Sequence, residues 1–112
     1  MTFKEAIDLT KSIIKRFEKI EGKPWKIDGS MIELAKQVGD LSKLVMSYEG
    51  YYPKNRGKRD KQYEATKDKI ADELADLLLV IIRIADYYDI DLEKAHIEAR
   101  KGEDKYLKSH RV

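Results

Sequence analysis

Phe3, Ala6, Ile7, Ile13, Ile14, Phe17 and Ile20 recur at the three- and four-residue intervals of one helix face. Thr2 followed by Glu5 reads as a capping box ahead of them. Pro24 disfavours helix at Lys23, so this first helix is expected to end near Glu21-Gly22. A second stripe follows: Met31, Leu34, Ala35, Val38, Leu41, Val45 and Tyr48, with Asp28 or Ser30 as the expected cap. Periodicity is lost over residues 50–65, where Gly50, Pro53, Asn55 and Gly57 mark a loop. A third helix is expected from Thr66 or Asp68 to about Tyr88, and a fourth from an Asp91 cap, fading after Gly102. No stretch alternates like a strand, and no linker splits the chain, so a single all-α domain over residues 1–112 is predicted.

The third helix departs from the ordinary amphipathic pattern. From Leu77 to Ile82 it is apolar on every side, whereas a surface helix is apolar on one stripe. Three neighbours in so short a chain cannot cover all of it. Burial against a second copy would, so a homodimer or a dimer of dimers is predicted, with this helix near its centre.

Composition narrows the possible functions. The chain has 23 basic and 21 acidic residues, a net charge of +2, which argues against a nucleic-acid coat despite a charged fraction of 39%. With no cysteine, disulfides and thiolate metal sites are excluded. The longest apolar run, Leu77 to Ile82, is far too short to span a bilayer, and Phe3-Lys4-Glu5 breaks any signal-peptide pattern. No membrane partner and a cytoplasmic location are therefore expected.

The candidate chemistry is acidic. Asp72, Glu73 and Asp76 precede the apolar run of the third helix, and Glu73 and Asp76 share a face. Like charges at this spacing repel unless a cation neutralises them. Oxygen ligands without Cys or an obvious His suit a hard ion, Mg²⁺ or Mn²⁺. Glu33, Gln37 and Asp40 on the second helix would converge with them if the two helices form an antiparallel hairpin. An acidic helix face is more often simply solvated; its position against an apolar core is what favours a site here. His96 and His110 lack any diagnostic neighbour and are expected at the surface. Arg83 is expected in an ion pair or a dimer contact, and the pairs Tyr51-Tyr52 and Tyr87-Tyr88 in packing.

Trp25, then Leu34-Ala35-Lys36-Gln37-Val38-Gly39-Asp40-Leu41, then Asp72-Glu73-Leu74-Ala75-Asp76-Leu77-Leu78 resemble the MazG-like all-α nucleoside triphosphate pyrophosphatases, whose pattern is EExxE on one helix and ExxD on the next. Tyr88-Asp89-Ile90-Asp91-Leu92-Glu93-Lys94-Ala95 is similar to the entry into that family's last helix. The likeness spans roughly residues 23–106. It implies a four-helix MazG-like bundle in which helices 2 and 3 pair with a second copy. It also implies Mg²⁺-dependent hydrolysis of a nucleoside triphosphate to a monophosphate and pyrophosphate.

Residue by residue, Glu73 and Asp76 match ExxD, and Asp40 stands where the last Glu of EExxE belongs. These three are the implied catalytic residues, and with Gln37 they form the implied metal set. Gln37 and Lys36 replace the two leading glutamates, one lending a neutral carbonyl and the other a positive charge. Arg100 and Lys105 fall near the basic positions of the family's last helix. Those two, with Lys101, are the implied phosphate ligands, joined by the loop residues Lys54, Arg56, Lys58 and Arg59, for which a mobile solvated connection is the plainer reading. Trp25 would stack on a base or, more simply, pack the corner between helices 1 and 2. The alternatives are a degenerate relative that binds nucleotide or metal with little catalysis, and a helical dimerisation module.

Overall fold

The computed structural model describes residues 1–53 and 55–112, and among these it is all-helical, with no strand. The elements are α1 (Phe3–Glu21), α2 (Ile27–Tyr48), the single-turn α3 (Arg56–Arg59), a 3₁₀ turn (Lys61–Tyr63), α4 (Lys67–Tyr87) and α5 (Leu92–Ser109). Two compact units share the chain: Met1–Pro24 with Ile82–Val112, and Trp25–Ile81.

In the first unit, the Thr2 hydroxyl accepts from the Glu5 amide at 3.1 Å and opens α1. The helix ends where Gly22 turns left-handed at φ 85° and its amide reaches the Glu18 carbonyl, a position that suits a residue without Cβ. Ile7 and Ile14 of α1 and Ile82, Arg83 and Ala85 of α4 are buried. Lys11 pairs with Asp86 at 3.7 Å. His96 lies at the surface as expected, but edge-on to Phe3 with ring centroids 5.9 Å apart. Asp91 caps α5 by accepting from the Lys94 amide at 3.0 Å.

α5 does not fade at Gly102. It runs on to Ser109, and the reason lies in its charges: Arg100 pairs with Glu103 at 2.6 Å and Lys108 with Asp104 at 2.8 Å, one turn apart on the helix surface.

The second unit begins earlier than its sequence suggests. α2 starts at Ile27, and neither Asp28 nor Ser30 caps it, because Lys26 is already extended (ψ 170°) and serves as the boundary residue. Asp28 instead lies in the first turn, its carboxylate accepting from the Gly29 amide at 2.8 Å, a favourable place for negative charge. Ser30 and Leu44 are buried, and Leu34, Gln37 and Leu41 between them are half-buried, so one stripe of α2 faces inward. Thr66 opens α4, its hydroxyl accepting from the Lys69 amide at 3.2 Å. Val80 is fully buried, a burial that contributes roughly 1.5–3 kcal/mol.

The connection between α2 and α4 is not a loose tether. The Arg56 guanidinium lies 3.7 Å from the centre of the Tyr63 ring and 4.8 Å from that of Tyr52. The two rings meet edge to face at 5.0 Å. The Ser47 hydroxyl donates to the Tyr63 carbonyl, and Asp60 caps the 3₁₀ turn through the Gln62 amide at 3.1 Å. Gly57 permits the closest approach: a Cβ there would come within 3.1 Å of backbone atoms of Tyr63 and Glu64. Hydrophobic periodicity cannot register such a loop, since cation–π and backbone contacts build it.

The all-round apolar stretch is unevenly covered within the chain. Val80 and Ile82 are buried and Leu77 and Leu79 half-buried, while Leu78 and Ile81, together with Leu74 one turn before, stay exposed. Among the described residues, no helix is long and apolar enough to cross a membrane.

Candidate functional site

Within the second unit, α2, the 3₁₀ turn and the start of α4 enclose a cleft of about 320 Å³. Asp40, Asp72 and Glu73 bring carboxylates to it, and Lys43, Lys61 and Lys69 bring ammonium groups. Helical spacing accounts for the convergence: Lys43 is one turn beyond Asp40 on α2, and Lys69 one turn before Glu73 on α4. Moving from Ser47 back to Asp40, the opposing residues climb from Tyr63 to Glu73. α2 and the first half of α4 thus run antiparallel, the hairpin that convergence of the two acidic helices requires.

Glu73 is the electrostatic centre. Its Oε2 is buried and has no hydrogen-bond partner among the described residues, although a buried carboxylate oxygen left unpaired is costly. Burial pushes its carboxyl above the ordinary value of 4.5, and the charges of Asp40, Asp76 and Asp72 push it further; Lys36 pulls the other way. Lys36 also pairs with Asp40 at 3.6 Å. The lysines opposite are partly engaged. Lys43 donates to the Gln62 side chain at 2.9 Å and sits 5.5 Å above the Tyr63 ring, and Lys69 pairs with Glu64 at 3.5 Å.

The sequence-derived residues are not all brought together. Asp40 and Glu73 share the cleft, whereas Asp76 lies outside its lining but close enough for its charge to act on Glu73. Gln37 is half-buried on the inward stripe of α2. Among the described residues, no three His, Cys, Asp or Glu side chains stand close enough together to hold a metal ion. The carboxylates of Asp40, Asp72 and Glu73 offer oxygen donors, the type a hard cation takes, beside three ammonium groups in the same cleft.

Trp25 is half-buried, its indole against the first turn of α2, where a Cβ on Gly29 would come 3.2 Å from Cε3. Arg100, Lys101 and Lys105 are exposed on α5 in the other unit. Arg56 is committed to its two tyrosines, Lys58 and Arg59 are exposed, and Lys54 lies outside the described residues.

Sequence reasoning missed the three cleft lysines as a set. For Lys43 and Lys69 the signal was present in their helical spacing from Asp40 and Glu73. For Lys61 there was none, because the turn that positions it has no periodic pattern.

No protein-family model, no curated protein and no solved structure matches this chain.

Proposed function

We propose that this chain is a MazG-like nucleoside triphosphate pyrophosphohydrolase, a four-helix MazG-like bundle working as a homodimer or a dimer of dimers. The observation that carries this reading is the unpartnered, buried Oε2 of Glu73 amid Asp40, Asp72 and Asp76, facing a row of lysines. Like charges so gathered are destabilising unless something positive arrives. A ligand that brings both a cation and phosphate oxygens satisfies both halves of the cleft.

Asp40, Glu73 and Asp76, with the Gln37 carbonyl, are the ligands this reading requires for Mg²⁺ or Mn²⁺, and they would have to draw closer together than they stand in the single chain. When bound, the ion neutralises charge on the phosphate oxygens. Lys43 and Lys69 would hold the outer phosphates and Lys61 the inner one, fixing the triphosphate in line for attack by water on the α-phosphorus. The bond to the bridging oxygen then breaks and pyrophosphate leaves.

The decisive assay incubates the pure protein with canonical and modified nucleoside triphosphates plus Mg²⁺ or Mn²⁺, and measures monophosphate and pyrophosphate in equal amounts. Product formation that is lost in Glu73→Ala supports the reading. No product from any nucleotide, in the natural chain and in Gln37→Glu alike, sinks it.

The Lys36–Asp40 pair favours a second reading, a protein that binds nucleotide or metal and turns it over poorly, because Lys36 brings positive charge against a required carboxylate. Under that reading the double substitution Lys36→Glu, Gln37→Glu restores turnover that the natural chain lacks.

The assembly has its own support. Leu74, Leu78 and Ile81 of α4 and Met31, Val38 and Val45 of α2 are exposed in the single chain and recur at coiled-coil intervals. A Leu78→Lys variant is expected to migrate at 13.1 kDa by light scattering, and the natural chain at two or four times that mass. A natural chain that is monomeric at tens of micromolar would remove this part of the proposal.

A further inference from the structure

Behind the 3₁₀ turn lies a second cavity of about 650 Å³, within the ~300–1,000 Å³ of small-molecule sites. Its chemistry differs from that of the carboxylate cleft. Tyr48, Tyr52 and Tyr63 line it, with Lys58, Lys61 and Glu64. Glu64 is already neutralised by Lys69 at 3.5 Å, while Lys58 and Lys61 have no ion-pair partner among the described residues. Tyr52 and Tyr63 are held by Arg56 and form a fixed wall. Tyr48 is different: about half exposed, at 47%, it has no ring or cation partner among the described residues and keeps an open π face. Of the described residues, Lys61 lines both this cavity and the carboxylate cleft.

We propose that this tyrosine-lined cavity is a nucleoside pocket, taking the base and sugar of a nucleotide whose phosphates pass Lys61 toward Lys43 and Lys69. Three observations converge on that ligand class. The volume suits a nucleoside, the open ring of Tyr48 suits a planar heterocycle, and the shared ammonium marks where an anionic tail leaves an aromatic chamber for a cation-binding one. The pocket is preformed by the Arg56 clamp, so binding need not order the loop. The direction of the phosphate tail rests on the pyrophosphohydrolase reading; the pocket itself does not require turnover.

The test is an NMR titration of the metal-free protein with adenosine, guanosine, cytidine, uridine and thymidine. At least one nucleoside is expected to shift the ring signals of Tyr48, Tyr52 and Tyr63 saturably and to leave Tyr51, which is 75% exposed and outside the cavity, unmoved. Tyr48→Ala should weaken that binding about tenfold, the scale of one base–aromatic stack. The corresponding monophosphate should bind more tightly, and Lys61→Gln should cancel about fivefold of that gain. Silence of the three tyrosines at millimolar nucleoside overturns the pocket, as do shifts that survive Tyr48→Ala unchanged. Binding without hydrolysis of any triphosphate supports the pocket and overturns the pyrophosphohydrolase reading. Hydrolysis with silent tyrosines does the reverse.

Discussion

Replacing Glu73 with Gln is expected, on the pyrophosphohydrolase reading, to cut pyrophosphate release sharply while making the metal-free protein more stable at neutral pH. The activity loss is expected at about 10²–10³-fold, typical of removing one preorganised electrostatic group at the reacting centre. The stability gain follows from what the carboxylate costs the folded state. Its buried Oε2 has no partner, and Asp40, Asp72 and Asp76 repel it, with only Lys36 opposing. An amide of nearly the same shape carries none of that charge. The expected rise in Tm is roughly 1–3 °C, from like-charge terms of a few tenths of a kcal/mol each.

The pH dependence fixes the sign. The carboxyl is raised above 4.5 in the folded chain, so over the interval above 4.5 the folded state binds more protons than the unfolded state. Stability from this group is fully present below 4.5 and is lost as pH rises through the folded value. The natural chain should therefore lose stability across that window relative to Glu73→Gln, and the two melting curves should converge on acidification. Differential scanning calorimetry at a series of pH values reads this directly. A variant less stable than the natural chain at pH 7 would mean that the Glu73 carboxylate is paired in the folded protein.

The second large effect is expected from Tyr63→Ala. One side chain there anchors the Arg56 guanidinium, the edge of Tyr52 and the ammonium of Lys43. Cation–π contacts and aromatic pairs contribute roughly 0.5–2 kcal/mol each, and they share a centre here. Their joint loss should cost about 2–4 kcal/mol in denaturant titration. It should also expose the 50–65 connection to limited proteolysis. Gly57→Ala should reproduce the effect in smaller measure by forcing the backbone of α3 away from Tyr63 and Glu64. If Tyr63→Ala melts with the natural chain and resists protease equally, the loop is held by its backbone hydrogen bonds alone.

The long helices were legible because each buries one face, and burial leaves a period in the sequence. α1 ends at Glu21, and the Thr66 and Asp91 caps stand where their residue types place them. Misreadings arose where another interaction dominates. α2 starts at Ile27 because backbone conformation at Lys26, not a capping side chain, fixes the boundary. α5 passes Gly102 because paired charges offset the poor helix propensity of glycine. At the site, Asp40 and Glu73 were readable from motif spacing. The contribution of Lys61 and the clamp at Tyr63 were not, since each depends on how a non-periodic segment folds back on α2; the Lys36–Asp40 pair, one turn apart within α2, lies within reach of helical spacing alone.

The contact between Lys36 and Asp40 joins side chains one turn apart on α2 that are both open to solvent. Such a pair contributes only about 0.3–0.5 kcal/mol. On the proposed reading, a divalent ion arriving with a polyphosphate would meet little resistance from the ammonium at Asp40, and the released lysine could turn to the phosphates. The lysine would then be a placeholder, keeping a positive charge beside the carboxylates until a stronger one takes its position.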